Sequence, residues 1–286
     1  MRLRIASCLT LPEPDPDAAP LAAALAAAGV DAEVVAWEQT ASCDPPLPTL
    51  IRSTWNYSLA APQFIAWCER VAARAPLWND VDVVRANVHK RYLLELAARG
   101  VPAVPTELVP RGASGDELDA RVRARGWGRV VIKPAIGAGS LGASAFAADE
   151  REAAAAHLEA WAARGDVLIQ PYQRSVEAHG ERSLVWIDGE VTHAIRKAPR
   201  FAGEAERVTG PHPIADDERA VAMAALAPWA GRVLYGRVDL ARADDGQPQV
   251  MELELIEPSL FFAWHPPALD RFIAGLLRRL RASAAA

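Results

Sequence analysis

Two kinds of apolar run alternate through the first part of the chain. Residues 3–7, 32–37, 49–53 and 77–79 are short and carry branched or aromatic side chains, the pattern of strands. Between them, residues 18–28 and 62–74 place apolar residues at helical intervals; Phe64, Ile65, Trp67, Cys68 and Val71 fall on one stripe. Gly29 ends the first of these helices, and Pro45, Pro46 and Pro48 separate the strands that follow. A small sheet with covering helices is therefore expected over residues 1–86. Residues 87–100 predict one helix, with Leu93, Leu96 and Ala97 on a face and Gly100 as its stop, before a strand begins within 101–106. Ser114 and Glu117 have capping-box spacing and predict a helix through residue 125.

Strand patterns dominate further on. Residues 130–132 and 167–172 are apolar runs that end in polar residues, with a helix expected over 149–164. Residues 183–187 and 190–195 flank Asp188-Gly189, a strong hairpin signal, and the return strand delivers Arg196 and Lys197 at its end. Pro199, Gly203, Gly210, Pro211 and Pro213 predict a mobile loop over 198–216. A helix over 216–227, a second hairpin from 233–240 and 249–255, and a closing helix over 266–286 complete an α+β pattern.

Chemistry concentrates after residue 130. Lys133 precedes Gly137, Gly139, Ser140 and Gly142, and successive N–H groups in such a loop can cup an anion. The triplet has G-x-G-x-x-G spacing, yet no helix pattern begins inside it, as a dinucleotide fold requires. Nor does Gly-Lys-Ser/Thr close it, so it is not a P-loop. A glycine flap over phosphates fits, and so does a hairpin that binds nothing. In the second hairpin, alternation puts Glu252 and Glu254 on one face, within reach of Asp239 on the partner strand. Three carboxylates so close repel unless a cation intervenes, and oxygen donors suit Mg²⁺. A charged, solvated strand face is the alternative.

Composition narrows the classes. A net charge of −5 without a basic block argues against a nucleic-acid binder, and no apolar run is long enough to span a membrane. Cys8, Cys43 and Cys68 have neither zinc spacing nor an even count, which makes a reducing cytoplasm the expected location.

The order of helix lysine, strand lysine, glycine loop, polar strand end and carboxylate hairpin resembles the ATP-grasp superfamily of carboxylate–amine ligases, in its glutathione-synthetase-like branch. Closer still is the O-ureido-serine cyclo-ligase subgroup of cycloserine biosynthesis, through residues 52–57, Asn87 and Lys90, and residues 180–184, 193–197 and 252–260. The resemblance implies an ATP-grasp fold of two α+β subdomains, 87–169 and 170–286, preceded by the α/β domain 1–86. It implies that Lys90 and Lys133 hold ATP phosphates beneath the flap, that Gln170, Pro171 and Tyr172 meet adenine, and that Glu177 meets ribose. Asp239, Glu252 and Glu254 take the place of Mg²⁺ or Mn²⁺ ligands, with Glu254 where the common pattern has asparagine. Arg196, Lys197, Arg207 and Arg237 are the candidates for the reacting carboxylate and its oxyanion. Arg52, Ser53 and Asn56, at a strand end, are candidates for substrate contact. The implied reaction activates a small amino-acid-like carboxylate as an acyl phosphate for an amine. Ring closure, intermolecular ligation and a non-catalytic nucleotide-binding module all stay open, as does a homo-oligomer.

Overall fold

The computed structural model describes residues 1–198 and 207–285. Its first sheet is parallel, in the order β2-β1-β3-β4, from β1 (Arg2–Ser7), β2 (Asp31–Ala36), β3 (Thr49–Ile51) and β4 (Leu77–Trp78). Helices α1 (Ala18–Ala27) and α2 (Ala61–Ala72) pack on it, and α2 buries Phe64, Trp67, Cys68 and Val71 as their spacing predicts.

Of the helix expected over 87–100 only α4 (Tyr92–Ala98) forms, and an additional helix, α3 (Val81–Asn87), precedes it. Asp80 starts α3 by accepting from the backbone N–H groups of Asp82 and Val83. The chain then turns through residues 88–91, where the backbone N–H of Lys90 donates to the Ala135 carbonyl at 2.8 Å. A bond to another element replaces helix continuity, so Lys90 sits in a turn and not in a helix's first turn.

The second sheet is antiparallel, in the order β5-β8-β6-β7, from β5 (Glu107–Val109), β6 (Val130–Pro134), β7 (Ser144–Phe146) and β8 (Val167–Pro171). Upstream of β5, Ala103 makes only one bridge, to Val250. Helices α5 (Gly115–Arg125) and α6 (Arg151–Ala162) cover one face, where Leu118, Val130, Ile132, Leu158, Val167 and Ile169 form a core. The expected capping box is not made: the Ser114 side chain caps nothing, and Glu159 of α6 accepts from the Gly115 N–H at 2.8 Å. The glycine loop joins β6 to β7, and that second strand removes a dinucleotide fold.

After α7 (Ser175–Ala178) come β9 (Glu181–Ile187), β10 (Glu190–Lys197), β11 (Val208–His212), α8 (Asp216–Leu226), β12 (Tyr235–Arg242), β13 (Pro248–Glu254) and α9 (Pro266–Ala285). The strands form the third sheet, antiparallel in the order β11-β10-β9-β12-β13. Strand β11 lies where a loop is expected; at a sheet edge it needs one neighbour only, which accommodates Gly210 and Pro211. The remainder of that expected loop, residues 199–206, lies outside the described residues.

One face of the third sheet packs on α8 and α4 through Leu184, Trp186, Val238, Leu240 and Leu253. The other face meets α9 and the first sheet through Val185, Ile187, Ile195, Leu234 and Tyr235. Alternation along β13 is interrupted once: Asp239 pairs with Glu252 but Leu240 with Val250, so Met251 is an extra residue and Val250 joins the apolar face of Leu253. The outer edge of β13 is partly closed by side chains. Asn87 Nδ2 donates to the Leu253 carbonyl and its Oδ1 accepts from the Leu255 N–H, both at 2.8 Å. Asn79 Nδ2 donates to the carbonyls of Tyr235 (2.9 Å) and Leu255 (2.7 Å), and its Oδ1 accepts from the Leu234 N–H. The Asn87 bonds satisfy part of the β13 edge, and the Asn79 bonds satisfy backbone groups at the end of the β12–β13 pair. Among the described residues no helix is long and apolar enough to cross a membrane.

Two outcomes follow for stability. Asn79→Ala strands buried backbone groups and is expected to cost roughly 2–4 kcal/mol in urea denaturation; a loss below 0.5 kcal/mol would contradict its role in satisfying those backbone groups. His193, buried with Nε2 at 3.1 Å from the Leu260 carbonyl, has its pKa lowered from 6.5 to about 4, by burial first and by His265 next. Its unfolded form takes up a proton that the folded form refuses. Its contribution is therefore complete above pH 6.5 and falls by about 1.4 kcal/mol per pH unit down to pH 4. His193→Gln is expected to flatten that part of the stability–pH curve; an unchanged slope would assign it to other groups.

Candidate active site

The face of the third sheet that meets α9 is apolar at one end and charged at the other. The change falls where β9 passes from Val185 to Ser183 and Glu181, and β12 from Tyr235 to Arg237 and Asp239. Lys197 of β10 pairs in register with Glu181, and Arg237 and Asp239 of β12 with Glu254 and Glu252 of β13. Lys197 Nζ donates to Asp239 Oδ2 at 2.7 Å and also pairs with Glu181. Arg237 donates from Nε to Asp239 Oδ1 (2.9 Å) and from Nη2 to Asp239 Oδ2 (3.0 Å), and its Nη2 lies 2.8 Å from Glu254 Oε1.

Opposite this patch stand the turn at residues 88–91 and the second sheet. Lys90 Nζ is 2.7 Å from Glu252 Oε1 and donates to the Gly137 carbonyl, also at 2.7 Å. Lys133 and Gln170 lie on the face of the second sheet away from α5 and α6, since Lys133 pairs with Leu168 and Gln170 with Val131. Lys133 feels Glu252, Glu181 and Asp239, yet has no ion pair among the described residues. The glycine loop is held at both ends. Ile136 and Ala138 pack on the core of the first sheet. Gly142, at φ +70°, lies so close to Trp161 that a Cβ would come within 2.3 Å of it. Gly139 and Ser140, both near φ +60°, form the crest.

Burial and neighbours set the charges. Burial pushes the Glu181 and Glu254 carboxyls up to about 7, and burial with Glu254 pushes Glu257 up to about 8. Burial also opposes ionisation of Asp239, but Arg237 and Lys197 outweigh it and hold that carboxyl well below the usual range. Glu252 is likewise lowered, by Lys90 and Lys133 against burial. Burial disfavours the ammonium of Lys90, yet Glu252 raises its pKa on balance. For Lys133, burial prevails and the pKa is lowered. Burial and Arg237 oppose the charge on Lys197, but Asp239 and Glu181 outweigh them and raise it.

Other expected residues lie elsewhere. Arg196 is on the opposite face of β10 from Lys197, with its guanidinium on the Ala178 carbonyl. Arg207 is exposed, one residue before β11. Arg52 is buried and used within the fold, with Nη2 at 3.2 Å from Asp17 Oδ2 and Nη1 donating to the Pro258 carbonyl at 3.1 Å. Ser53 bonds Asp15, and Asn56 bonds Glu38 and the Trp37 indole. Pro171 ends β8, and beyond it the Tyr172 ring is stacked at 3.7 Å by Arg129, whose Nη1 lies 3.1 Å from Glu177 Oε1. Glu181 and Glu257 are the charged residues that sequence reasoning missed. Alternation back from Val185 along β9, combined with hairpin register opposite Lys197, points to Glu181. For Glu257, beyond the end of β13, no periodic signal exists. A cavity of about 290 Å³ lies on the α5–α6 side of the second sheet, lined by Leu118, Val122, Trp127 and Arg151, and holds none of the expected residues.

Among the described residues, no three or more His, Cys, Asp or Glu side chains are arranged as a metal cage. Both oxygens of Asp239 are engaged by cations, whereas the ion pairs of Glu252 and Glu254 use Oε1. Mg²⁺ is commonly held by one or two carboxylates plus substrate phosphates, a demand that Glu252 and Glu254 fit without a full protein cage.

Comparison with known proteins adds an independent line. Residues 3–79 match the family described as D-cycloserine synthetase DcsG, N-terminal domain. The cycloserine biosynthesis protein DcsG of Streptomyces lavendulae is 36% identical over 289 residues, spanning 93% of this chain and 95% of that protein. The crystal structure of D-cycloserine synthetase DcsG superposes with a TM-score of 0.89 at 34% identity, over 98% of this chain and 100% of that one. The ATP-grasp ligase PsnB, complexed with minimal precursor, Mg and ADP, has a TM-score of 0.62 at 18% identity over 96% of each chain, a likeness of fold.

Asp239→Asn is expected to cost about 3–5 kcal/mol in chemical denaturation, because Lys197 and Arg237 lose the anion between them. A loss under 1 kcal/mol would show that the cluster is not electrostatically coupled.

Proposed function

The chain belongs to the DcsG family of ATP-grasp ligases, and from that premise we propose how its charged cleft works. The protein is an ATP-dependent carboxylate–amine ligase. A carboxylate is a poor electrophile; transfer of the ATP γ-phosphoryl group to it makes an acyl phosphate, which a nitrogen attacks as phosphate leaves. The protein's part is to position the reactants and to neutralise the moving charge.

The observation that carries this reading is the opposition of Lys90 and Lys133 to Asp239, Glu252 and Glu254 beside the glycine loop. Lys133, without an ion pair of its own among the described residues, binds a phosphate. Lys90 exchanges its bond to the Gly137 carbonyl for another, which couples loop position to nucleotide. Gln170, on the face of Lys133, and Tyr172 border the base, with Glu177 toward the ribose. Glu252 and Glu254 would hold Mg²⁺ or Mn²⁺, with Asp239 behind them, and the metal would supply charge neutralisation on the phosphates. Arg237 and Lys197 are held beside that end of the cleft by Asp239, where they meet the reacting carboxylate and its oxyanion. The substrate is a small amino-acid-like acid, and 36% identity to a cycloserine biosynthesis protein favours ring closure on an O-ureido-serine type of molecule in antibiotic biosynthesis.

Phosphate release and product mass with O-ureido-serine, ATP and Mg²⁺ test this reading. Stoichiometric ADP, phosphate and a ring-closed product are expected; a linear amide formed only when a second amine is added would exclude ring closure. Lys133→Ala is expected to raise the KM for ATP at least about tenfold, from the loss of a charge-assisted contact. An unchanged KM would remove Lys133 from the nucleotide site.

A further inference from the structure

Glu257 is an acid of the cleft with no task in the proposed reaction and, unlike Glu181, no ion pair among the described residues. Its residue is 95% buried, at 5% relative exposure. Among the described residues its carboxylate has no ion pair; it takes a hydrogen bond from its own backbone N–H. Each other acid of the patch has a cation: Asp239 has Lys197 and Arg237, Glu181 has Lys197, Glu252 has Lys90, and Glu254 has Arg237. A buried carboxyl without a counter-charge keeps its proton, as a pKa raised to about 8 by burial and Glu254 describes, and a cation brought beside it would ionise it and complete the pair.

The main chain around Glu257 does not let the side chain drift. The Trp55 indole donates to the Glu257 carbonyl at 3.0 Å, Arg52 Nη1 to the Pro258 carbonyl and the Tyr235 hydroxyl to the Ile256 carbonyl at 2.9 Å. Asp17 accepts from the backbone N–H groups of Leu260, Phe261 and Phe262. The backbone that carries Glu257 is thereby pinned, and its carboxyl interacts electrostatically with Glu254, Lys90 and Arg237 and with Tyr57 and Tyr235. The cations Lys197 and Arg237, which suit a substrate carboxylate, are tied to Asp239 on the same sheet face. An amino acid carries both charges and needs an acid for its ammonium group.

We propose that Glu257 is a substrate-binding residue that pairs with the non-reacting ammonium group of an amino-acid substrate, and so makes the ligase select α-amino acids over their des-amino counterparts. This rests on the ligase reading above. It explains why the loop at residues 52–57, whose polar side chains are used within the fold, still matters to the site: it sets the position of the acid.

The test compares O-ureido-serine with its des-amino analogue, 3-(ureidooxy)propanoate, by phosphate release in the wild-type protein, Glu257→Gln and Glu257→Asp. Wild type is expected to favour the amino form. Glu257→Gln is expected to raise the KM for that form roughly ten- to hundredfold, the worth of a charged hydrogen bond. It should leave the KM for the des-amino form and for ATP within about twofold, and Glu257→Asp should fall between. Equal preference in wild type and Glu257→Gln would overturn the proposal, as would a parallel rise in the KM for ATP. If Glu257→Gln does not fold, Glu257→Asp decides: a reduced preference supports the pairing and an unchanged one overturns it. Absence of turnover of either compound by wild type would instead refute the choice of substrate, and the proposal with it.

Discussion

Charge neutralisation at the polar end of the third sheet is the constraint on which the site depends. Five acids, Glu181, Asp239, Glu252, Glu254 and Glu257, are gathered at one end of the cleft, Asp239 and Glu257 buried and the other three part-buried. They persist together because Lys90, Lys133, Lys197 and Arg237 are interleaved among them, and each cation reaches the cluster from a different element. Such a patch is poised to exchange partners. Phosphates bring negative charge to the lysines, and a divalent cation brings positive charge to the glutamates, so nucleotide and metal replace internal pairs instead of adding to them.

The apolar half of the same face explains how so much charge is tolerated. Val185, Ile187, Leu234 and Tyr235 anchor the sheet to α9 and to the first sheet, and the strands continue past that core into the cleft. Polar ties then lock the third sheet to its surroundings: Asn79 and Asn87 spend both ends of their amides on backbone groups of β12, β13 and the residues beside them. These are buried, satisfied groups, and they make the position of β13 relative to α3 a matter of hydrogen-bond geometry as well as apolar contact. Arg52 and Asp17 do the same for the segment after β13.

Much of this was legible residue by residue. The period of two in β12 and β13 placed Asp239, Glu252 and Glu254 together, and the Asp188-Gly189 turn put Lys197 at the right end of its strand. Local rules also led astray where a distant partner intervened. Residues 88–91 have good helical periodicity, yet the N–H of Lys90 is taken by Ala135. Ser114 has its capping partner at the right spacing, yet Glu159 from α6 supplies the acceptor. Arg196 stood out as a cation near Lys197, and alternation turns it to the other face. Arg52 and Ser53 marked a strand end where ligands often sit, but Asp17 and Asp15 occupy them.

The sequence by itself determined most of the elements, among them the two hairpins and the glycine loop, because these follow from spacings of two to four residues along one chain; the turn at 88–91, strand β11 and the extra residue in β13 did not follow from it. Only the tertiary structure decided which charges meet. Lys90 and Glu252 are far apart in sequence, as are Lys197 and Asp239, and their pairing depends on how three sheets close around one cleft. Glu257 shows the limit most plainly: it lies in the 252–260 stretch that carries the family resemblance, yet no periodicity gives it a role, and its isolation as a buried acid exists only once Trp55, Arg52 and Tyr235 have fixed the backbone on either side.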